Sequence, residues 1–378
     1  MAATLKTTVI QEPSSSTVNI TLDSSGNVTG GANLIATNMP YGSSSFLRNR
    51  IINGNMQIWQ RGTSFTSVSN VVQYGADRWY AFINGVVTSG QILQSSSVPT
   101  GLFQYSAAFG RPSGTTATNQ PWFCQNIESV NIYDLSSQSV TLSFYAKTGA
   151  NYSGGAMTVR VATGTAADQS SLTFSNGPAT GFTGYAAPIN TTQSLTSTWT
   201  RYSFTGTFGS GVLEAAVCFA YSPSGTAGAD DNIYITGVQL EQGSVATPFE
   251  RPLYSKQLAD CQRYYETSYD IGTAPGTTTA NGRVVSTFNA LNTNSLNIGL
   301  YVPFKVTKRA APSLSLWTQG GVSGNWSWII GTTVSNHPMT IDAAGMQGVD
   351  LNNTDTPGTL TAGSTYMAYG HFAASAEL

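Results

Sequence analysis

Two acidic residues stand side by side at Asp230 and Asp231, and Glu241 follows at the far end of the same alternating stretch. Sugar hydrolysis needs two carboxyl groups facing each other at roughly 5–10 Å. Adjacent acids at a loop–strand junction more often solvate a turn or hold a structural calcium, so Asp230 and Asp231 are weak calcium candidates. The two histidines, His337 and His371, have no helix-spaced partner. His371 reads as a strand or packing residue, and His337, just before Pro338, as part of a surface loop. Serine is plentiful, but no Gly-x-Ser-x-Gly elbow or Gly-x-x-x-x-Gly-Lys phosphate loop occurs. Cys124, Cys218 and Cys261 are far apart, match no zinc pattern and read as small buried hydrophobes. The chain is therefore expected to be no enzyme and to need no cofactor.

Recognition of a sugar asks for less: a flat aromatic face, with amides and hydroxyls to meet the ring's own hydroxyls. Trp326 and Trp328 stand two apart in a strand-like stretch, so they share one face. That face is either a core or an exposed aromatic platform. Trp122, in what reads as a polar loop, is the third glycan-binding candidate.

These side chains need a scaffold, and composition points to β-structure. Charged residues make up only 9% of the 378 residues, against roughly 25% in an average soluble protein. Small polar residues fill the gap, while aromatics reach 11% and the net charge is −2, which sets the chain apart from disordered ones. Thr, Val, Ile and the aromatics suit a pleated surface, and Gly and Asn suit tight turns. A near-neutral surface gives no electrostatic reason to bind nucleic acid and fits a neutral partner such as a sugar or another protein. No apolar run approaches the roughly 20 residues of a membrane helix. The first residues show no signal-peptide pattern, so the chain is expected to be made in a cytoplasm and to leave it within a particle.

The expected fold is all-β. Residues 1–48 form an N-terminal attachment arm in which residues 18–22 and 28–29 flank a turn as a hairpin. One hairpin buries little by itself, so the arm must dock on a partner. Residues 49–252 alternate as strands over 140–146, 157–161, 202–205 and 233–240, which points to a sandwich or jelly roll. Residues 253–269 carry a short connecting helix. Leu258, Cys261 and Tyr265 fall on one face of it, with Ser255 as a possible cap. That stripe packs either around an axis shared by several copies or inside its own chain, and its aromatic end is equally able to open the next strand. Residues 270–378 return to strand pattern at 283–288, 296–302, 313–317 and 366–369, enough for a small C-terminal β-sandwich tip.

Three stretches carry a resemblance. The first is Asn49-Arg50-Ile51-Ile52-Asn53-Gly54-Asn55-Met56-Gln57-Ile58-Trp59-Gln60-Arg61-Gly62, followed by Gly75-Ala76-Asp77-Arg78-Trp79. The second is Ile235-Thr236-Gly237-Val238-Gln239-Leu240-Glu241 through Thr247-Pro248-Phe249-Glu250-Arg251-Pro252 to Cys261-Gln262-Arg263-Tyr264-Tyr265. The third is Gly370-His371-Phe372-Ala373-Ala374-Ser375-Ala376-Glu377-Leu378. Together they resemble tail-fibre and related virion proteins of bacteriophages, especially those of aquatic and cyanobacterial hosts. The resemblance implies a jelly roll like that of carbohydrate-binding modules for residues 49–252, with Asn53-Gly54 brought towards Gln239-Leu240-Glu241, and a homotrimer. It also implies a virion protein whose arm meets the phage tail or baseplate and whose distal part meets host cell-surface polysaccharide. A head fibre, decoration protein or tail connector is the alternative. Trp59 and Trp79 read as core anchors, and Asp77 and Arg78 as turn-satisfying groups or partners of Glu241 or Arg251.

Overall fold

The computed structural model describes residues 9–10, 20–22, 28–30, 48–83, 85, 89–170, 179–290, 300–353 and 361–378. It divides into two units, Met1–Phe46 and Leu47–Leu378. In the first, β1 (Val9–Ile10), β2 (Ile20–Leu22) and β3 (Val28–Gly30) form an antiparallel sheet in that order. The β2–β3 pairing is the expected hairpin; its turn and residues 18 and 19 lie outside the described residues.

The second unit opens with a jelly-roll sandwich. Its strands are β4 (Ser64–Val68), β5 (Gln73–Tyr74), β6 (Tyr80–Ile83), β7 (Gly90–Ser95), β8 (Ser106–Arg111), β9 (Pro121–Ile127), β10 (Ser139–Thr148), β11 (Met157–Gly164), β12 (Ala186–Gln193), β13 (Thr200–Thr207), β14 (Glu214–Ala220) and β15 (Asp231–Gln242). They form two six-stranded sheets, β13-β10-β15-β8-β7-β4 and β12-β11-β14-β9-β6-β5. Alternation decides which side chains meet between them. Val140, Leu142, Phe144 and Ala146 of β10 point inward against Val217 and Phe219 of β14, all buried in one cluster. Trp79 stacks on Phe123 at 4.8 Å, Phe123 on Phe109 at 5.2 Å, and Phe144 meets Phe219 edge-on at 4.8 Å. Such offset and edge contacts suit the ring quadrupoles. Trp59 and Trp79 are core anchors, as expected.

The chain leaves the sandwich through Pro248 and Pro252 into helix α1 (Tyr254–Gln262), which is capped by the Leu253 backbone and has no side-chain cap. Ser255 therefore lies inside the first turn, one correction to the sequence reading. The helix stops because Tyr265 already belongs to a strand, β16 (Tyr265–Thr267). The remaining strands are β17 (Val284–Asn289), β18 (Leu300–Pro303), β19 (Ser313–Trp317), β20 (Asn325–Ile330), β21 (Thr333–Ala344), β22 (Gly348–Asn353) and β23 (Thr365–Ser375). Residues 296–299 of one expected strand lie outside the described residues. β23 organises this region by changing partners midway. Its first half pairs with β17 and β20, and its second half pairs with β16 and β19. The change falls at Gly370, where a Cβ would sit 2.3 Å from Cδ1 of Trp326. A second core gathers there around Trp326, Trp328, Leu316 and Phe372.

Candidate functional site

The residues of the three resembling stretches converge on one buried polar knot. Asn53 sits at φ 56°, a left-handed geometry that Asn tolerates better than most residues. Its side-chain amide donates to the carbonyls of Ile58 and Asp77, and its Oδ1 accepts from Gln57 N, Ile58 N and Gln257 Nε2. Asp77 accepts the Gln60 backbone N–H and the Gln60 side-chain amide. Burial pushes the Asp77 carboxyl up to about 6, against the opposing pull of Arg61. Arg78 pairs with Glu377 and donates to the Asn126 carbonyl at 2.7 Å. Arg61 reaches the same Glu377 at 3.0 Å. The two guanidiniums lie over tyrosine rings, Arg61 over Tyr265 at 3.4 Å and Arg78 over Tyr264 at 3.6 Å, contacts that strengthen where water is excluded. Tyr264 OH in turn donates to Glu128, which Arg263 also grips, and these bonds hold the Glu128 carboxyl below its usual range despite its burial. The expected partners of Asp77 and Arg78, Glu241 and Arg251, are not the ones found. Glu241 instead accepts from Gln239 and Thr247.

The knot's outer edge holds the walls of a groove. Gln257 of α1 donates to Asn55 at 2.6 Å, Asn55 to Gln57 at 3.2 Å, and Gln57 to Gln104 at 2.9 Å. Facing the outer part of this row are Phe103, Phe249 and Arg251, and with Asn55, Gln57 and Gln104 they line an open cavity of about 390 Å³. Phe103 meets Phe249 edge-on at 5.2 Å and Tyr145 at 5.6 Å, and the Arg251 guanidinium stands 5.6 Å from its ring. The aromatics are placed by two devices. Gly237 adopts φ 63° at an irregularity in the β10–β15 register, and a Cβ there would lie 2.5 Å from the Phe103 ring. The extended segment 243–252 lies across the outer face of the first sheet. There Thr247 bonds Glu241, its carbonyl accepts from Arg201, and Glu250 N donates to Gln239. Planar rings beside amides and a guanidinium match what a sugar presents: apolar ring faces rimmed by hydroxyls.

The expected bracket of the sandwich is also present. Val238 N donates to Gly54 O at 2.9 Å, and Arg50 N to Leu240 O at 2.9 Å, so the opening and closing stretches meet. A Cβ on Gly54 would sit 2.1 Å from the Val238 carbonyl, so only glycine allows this approach.

The tryptophan candidates are placed differently. Trp122 lies in strand β9, not in a loop, and is 2% exposed. Trp326 and Trp328 are 0% and 1% exposed. Their shared face is core, because Gly370, Phe288 and His337 close over the rings, and a buried ring offers no face to a sugar. The stripe on α1 and β16 also turns inward within its own chain. Cys261 and Tyr265 are buried against the Arg61–Asp77–Arg78 knot, while Leu258, half-buried, lines a crevice with Gln262 and Phe372. Cys261 and Tyr265 therefore pack inside their own chain.

Asp231 is saturated by protein. Arg111 Nε and Ser153 N each donate to it at 2.7 Å, and Ser153 Oγ at 3.0 Å. The same guanidinium donates to the carbonyls of Ala117, Gly225 and Ser224. A buried cation of the protein's own thus gathers the oxygens that a calcium would take. Asp230 accepts from Ala150 N, Asn232 and Tyr234, and among the described residues no group of three acids, histidines or cysteines is arranged to hold a metal. His371 is a packing residue, buried between Ser268 Oγ and the Thr279 carbonyl and stacked on Tyr269 at 3.9 Å. His337 lies in β21, not in a loop, with its ring on Trp328 at 4.0 Å.

Sequence reasoning missed Phe103 and Gln104, whose segment carries no alternation, and it placed Phe249 and Arg251 only as an exit. The signal was Pro248 and Pro252, which push Thr247 and Arg251 out of the helical region and so keep the segment that carries Phe249 extended.

No protein-family profile matches the chain, and no curated protein does. Solved structures do. The chain is similar to the enzymatically active domain of tailspike protein 4 of bacteriophage CBA120, at 17% identity and TM-score 0.31, over 52% of this chain and 21% of that one. It is similar to the CBM22-1 xylan-binding domain of Paenibacillus barcinonensis Xyn10C, at 16% identity and TM-score 0.28, over 50% of this chain and 99% of that one. It is also similar to TmCBM61, solved with β-1,4-galactotriose, at 9% identity and TM-score 0.31, over 52% of this chain and 99% of that one. The match spans about a fifth of the tailspike chain (21%). At these scores the likenesses transfer no residue role.

Proposed function

We propose that this chain is a bacteriophage tail-fibre protein that recognises host surface glycan through the groove at Phe103, Phe249 and Arg251. The observation that carries the reading is the groove itself: a cavity of about 390 Å³ where three amides face two partly buried phenylalanines and a guanidinium. The resemblance of its three motifs to phage fibre proteins supports the virion assignment, and the three-stranded sheet of residues 9–30 supports a docking arm. The chain acts as a homotrimer, in which weak grooves acting together exceed a single contact by orders of magnitude. Binding of the purified protein to host envelope polysaccharide, followed by affinity electrophoresis, tests the reading. Phe249→Ala and Arg251→Ala are each expected to weaken binding about tenfold, the scale of one good contact at about 1.4 kcal/mol, while circular dichroism stays unchanged. Unaltered affinity in both variants refutes the groove. A stable monomer at micromolar concentration by mass measurement refutes the trimer.

One observation favours a second reading, a virion part that binds no receptor: the motif residues end in the buried knot and make scaffold. Fluorescent protein that fails to decorate host cells selects this reading.

A further inference from the structure

We infer that Cys124 and Cys218 form a latent cross-strand dithiol that closes to a disulfide between β9 and β14 when a peroxide oxidises the folded protein. The inference stands apart from the glycan reading. The two residues are direct register partners on adjacent antiparallel strands. Such partners have Cα atoms about 4.5 or 5.5 Å apart, according to the kind of pair, and both values fall within the roughly 4.4–6.8 Å span of disulfides. Their side chains share one face. Phe123, Val217 and Phe219 point into the sandwich core, whereas Cys124 and Cys218 point the other way into a smaller cluster with Tyr80, Phe82 and Trp122. Both are free and fully buried. The thiols are also in contact, since the Cys218 side chain hydrogen-bonds Cys124 and, after burial, is the main cause pushing the Cys124 thiol well above its ordinary range.

The chemistry balances with hydrogen peroxide as the oxidant. One thiolate attacks the O–O bond and becomes a sulfenic acid, releasing hydroxide that takes up a proton to become water. The second thiol attacks that sulfur, the S–S bond forms, and a second water leaves. Two thiols are oxidised and one peroxide is reduced to two waters. Burial and the neighbouring thiol keep Cys124 protonated and slow at neutral pH, and the burial of both residues keeps the pair reduced until local opening admits the oxidant. The bond would tie two central strands across a loop of roughly a hundred residues, and closing long loops restricts the unfolded chain most.

Cys261 supplies an internal comparison, because it is equally buried but belongs to helix α1, away from the β9–β14 pair. The full-length protein is titrated with hydrogen peroxide at neutral pH, quenched, unfolded with iodoacetamide, digested and analysed by mass spectrometry. The expected result is a peptide pair joined through Cys124 and Cys218, two hydrogens lighter than the reduced peptides, formed before any oxidation of Cys261. The intact oxidised protein then unfolds at a higher temperature than the reduced one. The inference is overturned if Cys261 oxidises first, if Cys124 and Cys218 gain oxygen instead of pairing, or if all three remain alkylatable throughout the titration.

Discussion

Replacing Glu377 with glutamine leaves Arg78, 2% exposed, without the carboxylate that neutralises it. Breaking a buried ion pair by removing one partner costs about 3–5 kcal/mol, and Arg61 loses the same partner. Glu377→Gln is thus expected to lower stability on that scale, measured by urea unfolding, although the residue is second from the end of the chain. Asp77 gives a pH signature. Its carboxyl rises from 3.8 unfolded to about 6 folded, chiefly through burial. Between those values the native state binds more protons than the unfolded state, so this group's contribution is fully present below about pH 4. It is lost as pH rises through about 6, with a slope of at most about 1.4 kcal/mol per unit. Asp77→Asn removes this component, so the wild-type profile minus the variant profile is expected to fall across that window. A flat difference places the titration elsewhere.

At the scale of elements, the groove depends on one irregularity between β10 and β15. Gly237 holds φ 63° there, and alanine would be strained by its backbone and by the Phe103 ring 2.5 Å away. Gly237→Ala is expected to cost more than about 1 kcal/mol in thermal unfolding and to weaken polysaccharide binding by displacing Phe103. Gly54→Ala meets the Val238 carbonyl instead and is expected to destabilise without a separate effect on the groove aromatics. The strands themselves were readable from alternation: 313–317 coincides with β19, and 140–146 lies within β10. Trp122 was misread because Pro121 opens β9 and polar residues precede it, which hides a strand buried on both faces. A strand of that kind has no polar side to alternate with.

At the scale of the molecule, residues 47–378 form one compact unit although they hold separate apolar cores. The link is polar. Arg61 and Arg78 from the sandwich meet Glu377 after β23 as ion pairs and lie over the rings of Tyr265 and Tyr264 beside α1. Lys308 adds a buried pair with Glu266 at 2.6 Å, and burial holds its ammonium below its usual range. Calorimetry of the full chain is expected to show one dominant transition for this unit, and two well-separated transitions would show that the knot does not couple the cores. In Glu377→Gln the coupling weakens, so a shoulder is expected to appear before the main transition.

Period-two alternation and turn residues by themselves determined that this chain is β-structured, and three-and-four spacing of apolar residues determined that a helix interrupts it near residue 258. These are local properties, written in neighbouring side chains. Tertiary structure alone decided what each polar residue answers to: that Arg78 meets a carboxylate about three hundred residues away, that Arg111 gathers the oxygens around Asp231, and that Trp122, Trp326 and Trp328 face core while Phe103 and Phe249 line a groove. Contacts between distant residues depend on how sheets cross and where strands change partners, and spacing along the chain carries no record of either.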